Sequence, residues 1–245
     1  MNTSRDTGEK LTPKPAFQGS IDLVIWAIIA IQVIVAVYGF AVLPGTVPIH
    51  WGFNGQANGY AKWVGTFLLP LMSIGIYVLI RVLLAAGPRL GGREHTAANL
   101  QIGKIILTAL MLYLLIIQLA TIAKALGAGF DVRMVIMLAL SVLYIFAGNY
   151  MGKIRRNFWI GIRTPWTLAS SVVWERTHRL GGWLFVAVGL IGIPCSFIPA
   201  LRLWGILVPL IAVLIFLFIY SYVSYQRVTQ EQGESLSPPF ERDQE

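Results

Sequence analysis

Charge is what this chain has least of. Only 12% of its 245 residues are charged, against roughly 25% in a typical soluble domain. Hydrophobic residues make up 56%, more apolar surface than a soluble protein of this size hides, which points to burial in lipid. A single cysteine, Cys195, excludes an intramolecular disulfide, and its apolar setting reads as a small buried hydrophobe. No Asp or Glu falls near the middle of an apolar run, which argues against a carboxylate proton relay or an ion-coupled transporter. No second His, Cys or carboxylate stands at metal-ligand spacing from His50, so no metal and no cofactor is expected. A cleavable secretory signal is not expected either. Residues 1–20 are polar, with Pro13 and Pro15, and the run that follows is too long for a signal h-region and lacks a small-residue cleavage pattern.

What is present is six long apolar runs: residues 21–43, 64–86, 102–126, 132–150, 183–199 and 203–225. Each is of the length that spans a hydrocarbon core of about 30 Å, the fifth being the shortest and carrying Pro194. The fold class expected is an all-α integral membrane protein of six transmembrane helices, with a small folded outer hairpin and a structured inner loop. With the N-terminus inside, Lys and Arg divide 15 to the inner side and 4 to the outer, a positive-inside pattern that supports both helix number and orientation. The net charge of +8 is thereby read as topology, and direct nucleic-acid binding is not expected. The chain is predicted to sit in a bacterial inner membrane with both termini cytoplasmic. Arg81, Lys104 and Lys124 lie near the ends of their runs and are predicted to snorkel to the headgroups. Asp22 suits the start of the first helix. Gln32, Ser73, Thr108, Gln118 and Ser141 are predicted to form interhelical hydrogen bonds.

The expected organisation is a cytoplasmic tail at 1–20, an N-terminal membrane domain of three helices at 21–126, a second membrane domain of three helices at 127–226, and a disordered cytoplasmic tail at 227–245.

Two loops carry more structure-forming chemistry than connectors need. The outer one, 43–63, reads LPGTVPIHWGFNGQANGYAKW. Asn54-Gly55 suits a type I′ turn, Asn58-Gly59 is a second turn candidate, and the alternation around Val47, Ile49 and Trp51 suits a short strand. Trp51, Phe53, Tyr60 and Trp63 are suited to anchor a hairpin at the membrane interface. His50 is either a ligand contact or a residue that holds the loop by hydrogen bonds. The inner loop, 148–182, opens with Lys153, Arg155 and Arg156, a run that enforces topology or binds anionic lipid. Pro165 forces Thr164 into an extended conformation. Ser170 or Ser171 is placed to cap a short helix presenting Trp174, His178 and Arg179, which Gly181-Gly182 is predicted to end. Arg163 is expected to bond backbone carbonyls or Asn157. Glu175 is the loop's only carboxylate, so a hydroxyl paired with His178 lacks a third orienting acid, and no catalytic residue is assigned.

The inner residues Gly148-Asn149-Tyr150-Met151-Gly152-Lys153, Asn157, Gly161-Ile162-Arg163-Thr164-Pro165-Trp166-Thr167-Leu168, Trp174 and Thr177-His178-Arg179 closely resemble the signature of the SdpI bacterial immunity-protein family. Pro48-Ile49-His50-Trp51, Asn54-Gly55, Gly59-Tyr60 and Lys62 resemble a short uncharacterised domain that often precedes it. The resemblance implies resistance to a secreted, membrane-active peptide toxin met outside, and signalling to a transcriptional repressor met inside. The site residues it implies are Asn157, Gly161, Arg163, Thr164, Pro165, Trp166, Trp174 and His178 in the inner motif, and Pro48, His50, Trp51, Asn54, Gly55 and Tyr60 in the outer loop. Two other readings stand beside it: a small-molecule or peptide transporter, which needs a polar path through the bundle, and a membrane-embedded enzyme working at the inner headgroups through Arg163 and His178.

Overall fold

The structure is a computed structural model that describes residues 19–43, 45, 47–52, 57–86, 96–158 and 160–236. Phe53, Asn54 and Gly55, residues 1–18 of the first tail and residues 237–245 of the second lie outside them. The elements run α1 (Ser20–Val42), β1 (Pro48–Trp51), β2 (Ala57–Tyr60), α2 (Lys62–Ala86), α3 (Thr96–Ala125), α4 (Val132–Met151), α5 (Pro165–Ala169), α6 (Ser171–Phe197) and α7 (Trp204–Leu236). Six of these helices are long and apolar enough to cross a membrane, so the chain is an all-α multi-pass membrane protein with a two-stranded hairpin.

The helices are apolar all round, and polarity is inverted relative to a soluble bundle. Leu23 and Ile34 of α1 face outward at 72% and 66% exposure, while Gln32 is fully buried. The buried seam of α1 repeats at helical spacing through Ile25, Ile28, Ile29, Gln32, Ala36 and Gly39. Where the surroundings are hydrocarbon, no hydrophobic force sorts Leu inward, and close approach of small residues with a few polar bonds holds helices together.

Helices α1, α2 and α3 pack on one another around Ile25, Tyr77, Leu107 and Met111. Helices α4, α6 and α7 pack together, with α5 wedged against α6 and α7. The two groups meet chiefly where α3 lies on α4.

Three expectations need correction. Gly181 and Gly182 do not end a helix: α6 runs unbroken from Ser171. Glycine in a helix interior costs about 1 kcal/mol against alanine, but both are buried, and a Cβ on Gly182 would stand 2.7 Å from the Gly148 carbonyl oxygen. The glycines therefore mark a close helix crossing. Likewise α7 continues through the start of the segment expected to be a tail, as far as Leu236, with Thr229 bonded back to the Tyr225 carbonyl at 3.0 Å. Lys104 does not snorkel; it is 9% exposed and donates to Asp22 at 2.7 Å, joining α3 to α1. A carboxylate within reach gives the ammonium a partner without the trip to the headgroups.

The predicted interhelical bonds are fewer than expected. Gln118 donates to the Gln32 carbonyl oxygen at 2.9 Å. Thr108 and Ser141 bond instead to carbonyls of their own helices, at Lys104 and Met137, the back-bonding that hydroxyls commonly adopt in helices. Among the described residues, the Gln32 amide and the Ser73 hydroxyl have no hydrogen-bond partner.

Candidate functional site

The inner motif folds into a cap over the ends of α4, α6 and α7. Its first turn is organised by Asn157, whose amide donates to the carbonyls of Arg155 and Ile160 and accepts from the Ile160 N–H at 2.9 Å. The chain then reverses at Gly161, where φ is +115°. A side chain is doubly forbidden there, because a Cβ would also fall 2.3 Å from Nε2 of His178.

Thr164 takes an extended conformation, φ −95° and ψ 160°, as the following Pro165 requires. It caps α5 in a reciprocal box with Thr167, and its hydroxyl reaches Ser221 of α7 at 3.1 Å. Thr167 is fully buried and also donates to the Ile162 carbonyl at 2.9 Å. Trp166 stands edge-on to Phe218 and Tyr222 of α7. Of the two serines expected as caps, Ser170 caps α6 and Ser171 is its first residue.

Trp174 and His178 sit one turn apart on α6, 1% exposed each, with rings stacked 3.9 Å apart. The Trp174 indole donates to the Ile154 carbonyl at 2.7 Å. The Ile162 N–H donates to Nε2 of His178 at 2.9 Å, and Nδ1 faces the Trp174 carbonyl at 2.9 Å. A backbone donor on one nitrogen and a backbone acceptor on the other fix one tautomer: neutral, with the hydrogen on Nδ1. His178 is thus a bracket between the loop and α6.

Arg163 is exposed and donates to the Phe158 carbonyl rather than to Asn157, which is engaged in its own turn. Arg155, Arg156, Arg176 and Arg179 are exposed on the same loop and the start of α6. Arg155 lies 3.9 Å from Glu175, and Arg156 bonds the carbonyls of Leu168 and Ala169. The cap is therefore neutral and locked inside, and cationic outside.

A residue that sequence reasoning passed over ties this cap to the other helix group. Asn99 of α3 donates to the Arg155 carbonyl at 3.0 Å and accepts from the Arg155 N–H at 2.8 Å. Its side-chain amide copies a peptide group, and no linear pattern announces such a long-range mimicry.

The outer residues gather at the far end of the bundle. Strands β1 and β2 pair antiparallel, Pro48 opposite Tyr60 and His50 opposite Gly59. Nδ1 of His50 meets the Asn58 side-chain oxygen at 2.5 Å, so the histidine braces the hairpin across its strands. Trp51 ends β1, and Tyr60 and Trp63 are exposed at 57% and 58%. The hairpin is seated by Val47, fully buried against Leu43 and Ile122. Gly65 lets it sit down, since a Cβ there would meet Val47 at 2.8 Å. Among the described residues no three His, Cys, Asp or Glu side chains gather as a metal site.

At the same end, Asp131 caps α4 by accepting the Arg133 N–H at 2.9 Å and bonds the guanidinium of Arg202, which is 8% exposed and also donates to the Ser196 carbonyl. Burial pushes the Asp131 carboxyl up, but the hydrogen bonds from Arg133 and the charges of Arg133 and Arg202 outweigh it and hold the group below its ordinary value.

Comparison with known proteins follows this division. Residues 153–223, the cap with α6 and most of α7, match the SdpI/YfhL protein family. Residues 27–74, from α1 through the hairpin into α2, match a domain of unknown function, DUF1648. The chain is 28% identical over 206 residues to the Immunity protein SdpI of Bacillus subtilis (strain 168), which covers 84% of this chain and 95% of that protein. No solved structure matches the chain.

Proposed function

We propose that this chain is a membrane immunity protein that protects its host from a secreted, membrane-active peptide toxin. The observation that carries this reading is its alignment with an immunity protein along 95% of that protein's length, hairpin and cap included. Expression in a peptide-sensitive strain raises survival under challenge with the peptides encoded near its gene. Unchanged survival against all of them sets protection aside.

The protein sits in a bacterial inner membrane with both termini and Arg163 in the cytoplasm and His50 outside, a reading supported by the 15-to-4 division of Lys and Arg. Single cysteines in a Cys195→Ser background test it. Position 56 is labelled from outside in intact cells and position 170 is not; the reverse pattern overturns the orientation.

The two motif loops divide the work. The hairpin meets the peptide, with Tyr60 and Trp63 offering exposed aromatic surface. The cationic outside of the cap meets a cytoplasmic partner, a transcriptional repressor on this reading. The role is non-catalytic: the imidazole of His178 and the hydroxyls of Thr164 and Thr167 are all committed to holding the cap. His50→Ala then loses peptide binding, while Arg163→Ala keeps binding and loses reporter output. Loss of both variants from the membrane instead makes both loops structural lids.

A further inference from the structure

Between α1, α3 and α4, where the two helix groups meet, runs an open groove of 640 Å³ with an apolar lining. Along α3 it extends from Ile105 to Ile116, and along α4 from Phe146 to Val135. Either stretch measures about 16 Å at the helical rise per residue, close to the thickness of one hydrocarbon leaflet, about 15 Å. The Thr108 hydroxyl in its wall is already bonded to the Lys104 carbonyl. The groove is shaped for a hydrocarbon chain.

One end of the groove leads to positive charge. Phe146 lines it, the ring of Tyr150 lies 5.0 Å from that of Phe146, and Nζ of Lys153 stands 4.8 Å from the Tyr150 ring. Arg155 is fastened by its backbone to Asn99, six residues before Ile105 on α3, and its side chain is 63% exposed. Of the carboxylates at that end, Asp22 is neutralised by Lys104, and Glu175, 3.9 Å from Arg155, is 71% exposed, so water screens its hold on the guanidinium.

We infer that this groove seats one acyl chain of an anionic phospholipid, whose phosphate is held by Lys153 and Arg155. The occupant is a lipid because the slot is leaflet-deep and apolar, and an anionic one because the side chains at its mouth are cationic. It fills the space between α1, α3 and α4 where the two helix groups meet. The site stands independently of the immunity reading, since it needs no peptide.

The test uses the full chain in detergent with dioleoylphosphatidylglycerol or dioleoylphosphatidylcholine, and reads retained lipid by native mass spectrometry. Phosphatidylglycerol is retained about tenfold better than phosphatidylcholine. Lys153→Gln and Arg155→Gln each lower that retention about fivefold; both side chains are exposed, and the bonds to Asn99 come from the backbone. Ala139→Phe, which fills the groove, removes the lipid while the lipid-free protein melts as the parent does. If Ala139→Phe fails to fold, the two charge variants decide. Equal retention of both lipids overturns the proposal, as does unaltered retention in a folded Ala139→Phe variant. Displacement by soluble glycerophosphoglycerol reveals a headgroup site alone and rejects the acyl seat. Disulfide capture of two copies through Leu138→Cys in a Cys195→Ser background assigns the groove to a second copy and rejects it too.

Discussion

His178 and Arg163 belong to one sequence signature, yet their physical duties differ. Truncating His178 to alanine removes an acceptor from the Ile162 N–H and a stacked ring from Trp174. An orphaned donor costs about 1–3 kcal/mol, and the lost packing adds to it. Arg163→Ala gives up one exposed bond to the Phe158 carbonyl, about 1 kcal/mol. Thermal melts in one detergent therefore place His178→Ala far below the parent and Arg163→Ala close to it; equal losses contradict the bracket role. The aromatic, histidine and capping residues of the cap stand out in the sequence because rigid Pro165, Ser170 and bulky rings are local signals. The direction of the Arg163 bond is not legible, since any nearby carbonyl satisfies a guanidinium. Gln32 was legible as an intramembrane polar residue, but its lack of a partner among the described residues depends on three helices at once. Gln32→Met keeps the volume and removes an unsatisfied amide, so it raises the melting temperature; a lower value points to a polar role for that side chain.

The helices announce themselves through apolar length, but their contacts do not. On α4 and α6 the decisive residues are the smallest. A Cβ on Gly189 would stand 2.4 Å from the Ser141 carbonyl oxygen, one on Gly192 2.4 Å from the Ser141 hydroxyl, and one on Gly148 2.6 Å from the Gly182 carbonyl oxygen. In the sequence Gly181-Gly182 looks like a stop, because glycine signals a helix end in water; the same residue signals a crossing in lipid. Gly189→Leu drives a side chain into main chain that has no room to yield. It is expected to abolish a folded cap, read as protease sensitivity of the segment 153–170, while Leu190→Ala on the exposed face leaves it intact.

At the scale of the molecule, acid discriminates between its two ends. Asp131 titrates below the ordinary aspartate value, about 3.9, so its bonds to Arg133 and Arg202 stabilise the fold fully above that value. The contribution is lost as pH falls through the lower folded value. Asp131→Asn therefore melts below the parent at pH 7, and the gap narrows as pH falls below the ordinary aspartate value; a gap that stays undiminished in acid refutes the charge account. The glycine contacts carry a consequence for motion. A side chain can switch rotamers and let a neighbour slide, whereas main chain against main chain has no second setting. Helices α4 and α6 are thus a single rigid strut, and any shear between the helix groups must pass through the α3–α4 seam, where Asn99 is the latch. If the proposed peptide response works through that seam, a disulfide between α4 and α6 leaves it unchanged and one between α3 and α4 silences it; silencing by both places the response elsewhere.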